Sequence, residues 1–483
     1  MKERNLQTMK TTTLAAGLFA LSCAAAPVIR ENSVSFTQDS ASRLVTVTYK
    51  LDEDPGIITF DVLTNGVTIG AANIKALAGD VNRLVQTGDR TIYWRPDLSW
   101  PGHKITDNSV TVAVTAWATN TPPDYMMIDV SLGGRTIPIE KRTTYYTHPD
   151  AIPFPGGVTN DLCKTDYLVF RKCPAANVTW RMGTTATEQG GGSSVPTAHY
   201  VTFTNDFWMG VYEVTQRQYH HFGVGKADAG CCFTNECAMR PVEYLQFYWQ
   251  RGWSDLAASA IAAGTRKYWP ETGHEILATD AKSGTYGSAQ TNTLYRVRLI
   301  TGLPVDFPTE AQWEFAARAG KGGNLPDGTA FSATVDGETG AERLHRYART
   351  AANGGKIDGT PAVLSTSAAG PTCNDPTKRP RLATTIAEGG PANVGSFEPN
   401  AWGIYDMCGN VSEMCLDNWQ ATLSSDAVTD PEGPETSGKL RAIRGGSWGD
   451  ADSNCLTTSR KTVNNSVNMG YNDVGFRFCI VIP

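Results

Sequence analysis

RAIRGGSWGD at residues 441–450 and GFRFC at residues 475–479 enclose the most informative segment of this chain. Between them lie Cys455, Arg460 and a run rich in asparagine, which is too polar and irregular to form one buried strand or helix. The pattern predicts a loop held between two short strands, and we expect any chemistry of the protein to take place there. The asparagines of the run are Asn464, Asn465, Asn468 and Asn472.

The length and composition of the chain limit its class. With 483 residues it exceeds what one hydrophobic core normally supports, so two or three domains are expected. Only 19% of the residues are charged, while 47 glycines and 12 tryptophans favour turns and aromatic anchors, as is typical of a loop-rich protein outside the cytoplasm. The net charge of -6 comes without any run of lysine or arginine, which argues against nucleic acid as a partner.

Residues 1–26 have the pattern of a secretory signal peptide. Met9 and Lys10 precede a short apolar stretch, residues 13–21, and Met9 is an alternative start of translation. The apolar stretch is too short to span a membrane, and no other stretch of the sequence is long enough. The sequence thus predicts an exported protein, periplasmic, cell-surface or secreted, with Cys23 as an alternative site for a lipid anchor.

Eleven cysteines are present, and ten remain when Cys23 is set aside. An even number in an exported chain favours disulfides. Cys231, Cys232 and Cys237 lie close together, but no second pair of closely spaced cysteine or histidine residues supplies the other ligands of a structural zinc site. We therefore expect disulfides rather than zinc.

The pattern of residues 30–132 predicts a small all-β sandwich domain. Short runs of alternating apolar and polar residues, such as 44–51 and 109–117, are separated by clusters of turn-forming residues. No combination of nucleophile and base occurs there, so this part is interpreted as a spacer or interaction domain. Residues 133–166 show little periodicity and are expected to be a linker to a second domain, residues 167–483.

Two capping boxes predict helices in the second domain. Thr215 and Thr309 are each followed three residues later by a glutamine, which is the signature of a helix start. In the helix after Thr309, Trp313 and two alanines share one face that should pack inward, and Gly320 should end the helix. Residues 321–390 are rich in glycine, threonine, alanine and proline and are expected to form a surface loop.

Four landmarks occur in the second domain: YEVT at residues 212–215, PTEAQWEFAAR at residues 308–318, NAWGIYDMCGNVSE at residues 400–413, and RGGSW at residues 444–448 with GFR at residues 475–477. Together they resemble the formylglycine-generating enzyme or sulfatase-modifying factor family, in the order found in that family and over about residues 170–483. The fold of that family is a variant of the C-type lectin fold. The resemblance therefore implies an α+β, C-type lectin-like domain rich in loops, preceded here by the β-sandwich.

Enzymes of this family use two cysteines near the C-terminus to bind copper(I) and, with oxygen, convert a sulfatase cysteine into formylglycine. Copper(I) prefers sulfur, so this chemistry needs thiolates. Along the family motif, Ser447 matches the serine and Cys455 the second cysteine, whereas Asp450 stands where the first cysteine is expected. The resemblance makes these three the candidate catalytic residues, although the hard carboxylate of Asp450 argues against copper. The alternative for Cys455 is a disulfide with Cys479 or Cys408.

The resemblance also implies a calcium site. The matching positions are Asp406, Glu413 and the backbone carbonyls of Gly409 and Val411, which supply the oxygen ligands that calcium takes. At the other calcium site of the family, Arg349 stands at a ligand position, so that site is not expected here.

Three functions remain open from the sequence. The first, which we prefer, is a divergent exported member of the family that binds a protein or other ligand through its C-terminal loop and lacks the full copper site. The second is a formylglycine-generating oxidase acting on a sulfatase. The third is a retroelement-diversified ligand-binding protein, since such proteins use this frame with asparagine-rich variability before a closing Gly-Phe-Arg. A serine hydrolase is not favoured, because no histidine follows Ser447.

Overall fold

This computed structural model describes residues 26–103, 109–133, 141–184, 198–223, 238–245, 247, 250, 293–353, 356–357, 360–361, 390–434, 440–464 and 471–483. Residues 1–25 of the expected signal peptide, including Cys23, lie outside these ranges, as do Cys231, Cys232, Cys237 and Cys373. Within the described ranges, no helix is both long enough and apolar enough to cross a membrane.

The N-terminal part of the described chain contains helix α1 (Pro96–Ser99) and the strands β1 (Val28–Ile29), β2 (Ser35–Gln38), β3 (Val45–Asp52), β4 (Gly56–Thr64), β5 (Val67–Thr68), β6 (Leu77–Gly79), β7 (Leu84–Val85), β8 (Gly88–Trp94) and β9 (Val110–Trp117). In one antiparallel sheet the order is β1-β3-β8-β6, with β2 also paired to β3. In the other, β4 pairs with β5, β7 and β9. Alternation along β3 buries every second side chain, and residues of both sheets share one hydrophobic cluster.

The remaining strands are β10 (Tyr125–Asp129), β11 (Thr143–Tyr146), β12 (Tyr167–Cys173), β13 (Thr179–Met182), β14 (His199–Thr202), β15 (Phe207–Gly210), β16 (Ala348–Arg349), β17 (Lys356–Ile357), β18 (Thr360–Pro361), β19 (Cys408–Gly409), β20 (Ser412–Asn418), β21 (Val428–Thr429), β22 (Leu440–Arg444), β23 (Arg460–Asn464), β24 (Val474–Gly475) and β25 (Cys479–Val481). The helices among them are α2 (Leu162–Thr165), α3 (Gln216–His221), α4 (Thr293–Thr301), α5 (Glu310–Arg318) and α6 (Gly340–Tyr347). This part of the chain is therefore a strand-rich mixture with short helices.

An antiparallel sheet of five strands, in the order β11-β10-β12-β15-β25, runs through the larger core. The sheet crosses the expected boundaries, since β10 lies within residues 30–132 and β11 within the expected linker, residues 133–166. Both strands pair here because alternate side chains of β10, among them Met126 and Ile128, are buried in the largest hydrophobic cluster of the described residues. Residues 141–166 of the expected linker thus contain a strand followed by short helical turns.

The two predicted capping boxes are confirmed. Thr215 and Thr309 are the N-caps of α3 and α5, and each hydroxyl accepts a hydrogen bond from the backbone N–H three residues on. Trp313 packs inward and is fully buried, as predicted. Helix α5 ends where Ala319 and Gly320 adopt left-handed backbone conformations, with φ of 48° and 74°.

The expectation of a surface loop over residues 321–390 is wrong for its first part. Thr339 begins α6 with a third capping box, and Leu344 of that helix is fully buried together with Leu325. The glycine-rich composition of this stretch concealed a helix of only eight residues. Residues 362–389 lie outside the described part of the chain.

The described cysteines do not form disulfides. All six of them are buried free thiols, so the expected pairing of Cys455 with Cys408 or Cys479 is not present. They lie in apolar clusters, where a cysteine behaves as a small hydrophobic residue. The six are Cys163, Cys173, Cys408, Cys415, Cys455 and Cys479.

Candidate functional site

Strand β22 leads directly into the segment that the sequence singled out. The strands β23, β22, β20 and β24 form one sheet in that order, with Ile443 opposite Lys461 and Ser412 opposite Val474. Because β20 and β24 run parallel, the residue before β24, Asp473, lies at the same end of the sheet as the start of β20. The register therefore gathers residues that are far apart in sequence.

A network of charged side chains fixes α5 against this sheet. Arg444 of β22 forms an ion pair with Glu314, and Arg460 of β23 forms one with Glu310 in which Nη2 and Oε1 lie 2.6 Å apart. All four side chains are almost fully buried. The network orients the end of β22, from which the candidate site begins.

Two glycines make the turn after β22. Gly445 and Gly446 have φ of 88° and 69°, which glycine adopts far more easily than other residues. A Cβ atom on Gly446 would lie 2.3 Å from the carbonyl oxygen of Asn454 and 2.8 Å from Sγ of Cys455. The Gly-Gly pair of the motif is therefore what lets the 452–455 segment pack against this turn.

Ser447, Asp450, Lys461 and Asp473 form what we call the aspartate cluster. Oδ2 of Asp450 accepts hydrogen bonds from the backbone N–H of Ser447 at 2.9 Å and from its hydroxyl at 2.8 Å, and it also contacts Nζ of Lys461. The Ser447 hydroxyl lies 3.3 Å from Oδ2 of Asp473. Two of the three candidate catalytic residues, Ser447 and Asp450, are thus in direct contact.

The charged groups of the aspartate cluster differ in how deeply they are buried. Burial raises the pKa of Asp473, Lys461 acts against that rise, and the neighbouring Asp450 adds to it. The Lys461 side chain is 29% exposed to solvent, whereas Asp450 is only 5% exposed. The ammonium group is therefore the accessible partner of a buried carboxylate.

Cys455, the third candidate, lies beneath the turn and is fully buried. Its thiol contacts the carbonyl oxygen of Ser447 at 3.5 Å and packs in an apolar cluster with Cys408 and Leu456. Burial raises the pKa of this thiol well above its ordinary value, and the charge of Asp450 raises it further. Cys455 is consequently a protonated thiol at neutral pH, and no hydrogen bond joins it to Asp450.

The turn between residues 406 and 413 is built around one arginine. Arg477 holds both carboxylate oxygens of Glu413 at 2.6 Å, and its Nη1 donates to the carbonyl oxygen of Gly210 at 2.9 Å. The indole N–H of Trp313 donates to the same Glu413 carboxylate at 2.7 Å. The closing Gly-Phe-Arg motif thus ties the last strands to α5 and to β20.

Two further carboxylates face this arginine. Glu213 accepts hydrogen bonds from the Asn410 side chain and from the backbone N–H of Val411, and burial next to other carboxylates raises its pKa well above the ordinary value. Asp406 accepts from the backbone N–H of Gly395 at 2.7 Å through Oδ2, while its Oδ1 is buried without a hydrogen-bond partner. Burial raises the pKa of Asp406 to about 6.

Residues 174–482 match the family model described as the sulfatase-modifying factor enzyme 1-like domain. The chain belongs to this family. The match covers well over half of the chain and includes the aspartate cluster, Cys455 and the turn around Arg477.

Relatives within and near the family match shorter segments. The formylglycine-generating enzyme of Thermomonospora curvata is 34% identical over 146 residues, which are 29% of this chain and 37% of that enzyme. That of Mus musculus is 44% identical over 59 residues, or 12% of this chain and 16% of the enzyme. The alignments therefore span 37% of the length of the first of these curated relatives and 16% of the second.

Solved structures with a similar arrangement have low sequence identity. Treponema denticola variable protein 1 matches with a TM-score of 0.39 and 20% identity, over 65% of this chain and 95% of that protein. PvdO from Pseudomonas aeruginosa matches with a TM-score of 0.40 and 21% identity, over 65% of this chain and 94% of that protein.

The copper site of formylglycine-generating enzymes does not fit the donors present in this family member. Copper(I) would need two thiolates, but Asp450 offers oxygen, and that oxygen already binds Ser447 and Lys461. Cys455 is a buried thiol whose pKa is raised, so losing its proton is unfavourable. Neither residue is available as a copper ligand in this arrangement.

The calcium site implied by the resemblance does not fit either. Both oxygens of Glu413 are held by the positive guanidinium of Arg477, which repels a second cation. Of the side-chain oxygens of Asp406 and Glu413, only Oδ1 of Asp406 lacks a partner. Among the described residues, no group of three histidine, cysteine or carboxylate side chains is arranged to hold a metal ion. Arg477 supplies the positive charge in this turn.

We predict that calcium does not stabilise the protein. A ligand that binds only the folded state raises the melting temperature with its concentration, so adding calcium, or removing it with EGTA, should leave that temperature unchanged. Differential scanning calorimetry checks this. A rise with calcium that Asp406→Asn abolishes would contradict the assignment of Arg477 as the cation of the turn.

Some residues of the site were not found from the sequence. Glu213 lies in the YEVT landmark, but nothing marked its side chain as a partner of residues 410 and 411. Lys461 and Asp473 lie in the region that was singled out, yet neither belongs to a motif. One sequence signal could have identified Lys461 as a site residue, namely its position next to Arg460 in a strand. Because alternate side chains of a strand face opposite sides, Lys461 and Arg460 face different sides of the sheet.

Proposed function

We propose that this chain is an exported member of the family that binds a protein or peptide ligand through its C-terminal loop and does not generate formylglycine. The observation that carries this proposal is the aspartate cluster. Where an oxidase of the family would have a copper-binding cysteine, this chain has a carboxylate already bound to Ser447 and to the ammonium group of Lys461.

The frame supports ligand display. We propose a C-type lectin-like domain in which the sheet of β23, β22, β20 and β24 holds both ends of the loop, while α5 braces it through buried ion pairs. A loop anchored on a rigid sheet can carry adaptable asparagine and serine side chains without loss of the fold. The N-terminal sheets are proposed to form a sandwich that acts as a spacer, and export rests on the pattern of residues 1–26.

We predict that the protein shows no oxidase activity. Copper-loaded protein incubated under oxygen with a peptide containing Cys-x-Pro-x-Arg should yield no formylglycine by mass spectrometry, because the Cys455 thiol is buried and Asp450 stands in place of the other copper-binding cysteine. Formylglycine that forms with the native protein and disappears with Cys455→Ala would overturn the proposal in favour of the oxidase.

Binding itself is tested by selecting displayed peptides on the immobilised protein. Peptides that bind should lose affinity for a variant with Asn465→Ala and Asn468→Ala, and should keep it for Tyr93→Ala, an exposed position on the N-terminal sheet. If the selected peptides depend on Tyr93 and not on the asparagines, the binding surface is the N-terminal part and the proposal for the C-terminal loop fails.

A further inference from the structure

Strand β9 lies at an edge of the sheet that it forms with β4, β5 and β7. Within the described part of the chain, β9 pairs with β4 alone, from Val110 opposite Thr64 to Trp117 opposite Ile57. Strand β5 pairs with Leu63 and β7 with Ile57, two residues that also pair with β9, so β5 and β7 occupy the other side of β4. The second side of β9 therefore faces no described strand.

Backbone hydrogen bonds show which groups of β9 point to this open side. The carbonyl oxygen of Val62 accepts a hydrogen bond from Ile69 at 2.9 Å, on the side of β4 that faces away from β9. Asn65 instead donates to Ser109, the residue before β9, at 3.1 Å. Because hydrogen-bonded residues alternate along an antiparallel pair, every second residue of β9 directs its N–H and C=O groups to the open side. These residues are Val110, Val112, Val114 and Ala116.

The side chains of the same four residues pack against the hydrophobic cluster of the N-terminal sheets, yet they are only partly buried. Val62, which lies directly opposite Val112 on β4, is 1% exposed and has a neighbouring strand on each side. The difference arises because β9 lacks a neighbour on its open side. A strand added there would cover apolar surface and also satisfy the backbone groups.

The sequence of β9 lacks the features that usually protect an edge strand. Natural edge strands carry lysine or proline, or are interrupted by a bulge, and these features prevent pairing with another chain. VTVAVTAW at residues 110–117 contains no charged residue and no proline, and its register with β4 is continuous. A second neutral strand can approach this edge without meeting a like charge on β9.

The sequence VTVAVTA at residues 110–116 reads almost the same in both directions from Ala113. In an antiparallel pair of two β9 strands with a two-fold axis at Ala113, Val112 lies opposite Val114 of the second copy, and Thr111 lies opposite Thr115. All four residues with open backbone groups then face one another as hydrogen-bonded pairs. A shift by one residue would instead place them opposite residues whose groups already bond to β4.

We propose that the protein forms a symmetric homodimer in which β9 pairs antiparallel with β9 of a second copy, centred on Ala113. One sheet then continues through both copies, and Val112 and Val114 of each copy are covered by the other. Pairing through a single strand of eight residues makes an interface at the small end of the range, so we expect self-association at micromolar concentrations.

Sedimentation velocity of the full chain over roughly 1–200 μM should show a shift from monomer to dimer. A variant with Thr111→Lys and Thr115→Lys places like charges opposite each other twice and should dimerise at least about tenfold more weakly. The matched variant with Thr111→Lys and Thr115→Glu places opposite charges there and should dimerise at least as tightly as the native chain. Both side chains are exposed, and circular dichroism confirms that each variant is folded.

Cysteine substitution tests the register. Ala113→Cys brings two thiols together at the axis, where opposite Cα atoms of a non-hydrogen-bonded pair lie about 4.5 Å apart, so mild oxidation should yield a covalent dimer on a non-reducing gel. The matched control Thr111→Cys should not cross-link with itself, because the two thiols would be separated by about 14 Å along the strands. The native chain measures any cross-linking through its own thiols.

A native chain that stays monomeric throughout this range would overturn the proposal in favour of another occupant of the edge. Equal dimerisation of the two charge variants, or cross-linking of Thr111→Cys as readily as Ala113→Cys, would likewise refute pairing of β9 centred on Ala113.

Discussion

Replacement of Arg477 by methionine should destabilise the second domain by about 3–5 kcal/mol, because it leaves Glu413 buried without a cation. Arg477 is fully buried, holds both oxygens of Glu413 and also donates to the carbonyl oxygens of Gly210 and Tyr405. Glu213 and Asp406 lie near enough to add their repulsion. Urea unfolding followed by tryptophan fluorescence measures the loss.

Two further variants make the result interpretable. Arg477→Lys keeps the charge but cannot bind both oxygens in the same way, so it should lose less stability than the methionine variant. Arg217→Met removes a half-exposed arginine that lies 3.9 Å from Asp166, and should change stability by no more than about 0.5 kcal/mol. A loss below about 1 kcal/mol for Arg477→Met would show that the buried carboxylates do not depend on this guanidinium.

Gly446→Ala should cost about 3 kcal/mol, from the left-handed backbone and from overpacking together. The new methyl group would lie 2.3 Å from the carbonyl oxygen of Asn454 and 2.8 Å from Sγ of Cys455. The backbone contact cannot be relieved by rotating a side chain, so the 452–455 segment must move away from the turn. Thermal and urea unfolding measure the loss.

The matched control is Gly337→Ala. Gly337 also has a left-handed conformation, with φ of 85°, but a Cβ atom there would have no neighbour within 4 Å. Its loss should be only the backbone contribution, about 1 kcal/mol. If both variants lose the same stability, the close contact between Gly446 and the Cys455 segment does not exist in solution.

Local sequence signals predicted the elements of this fold well. Thr215 and Thr309 each cap a helix as their spacing indicated, and Trp313 is buried on the face that was expected. The strand expected at 44–51 is observed as β3, Val45–Asp52. These features depend on interactions between residues three or four apart or on simple alternation, so a single sequence contains the information.

The pairing of strands that lie far apart in the chain could not be predicted from such local patterns. Nothing in residues 125–146 shows that β10 pairs with β11 and β12 rather than with the N-terminal sheets. The same limit applied to the site. Glu213 meets the turn before Glu413 across about 200 residues, and that contact depends on the register of strands.

The contacts of the candidate residues are likewise of two kinds, local contacts that the sequence can indicate and distant contacts that depend on strand pairing. Asp450 was recognised as a departure from the family motif, and its contact with Ser447 needs only a turn of three residues. Its contact with Lys461 depends on how β23 pairs with β22. The cysteine count suggested disulfides, whereas the described cysteines are free thiols buried in apolar clusters, which a count cannot reveal.

Strand β25 has a consequence for the synthesis of this protein in the cell. It forms one edge of the five-stranded sheet and pairs with β15, while β11 forms the other edge. In the sequence, most of the chain lies between β11 and β25. Ribosomes add roughly 5–20 residues per second, so β15 waits on the order of tens of seconds for its partner. Until Cys479–Val481 has emerged, the nascent domain keeps an open strand edge that other chains or chaperones can pair with. Codon choice and chaperone supply over this interval should therefore govern the yield of folded protein.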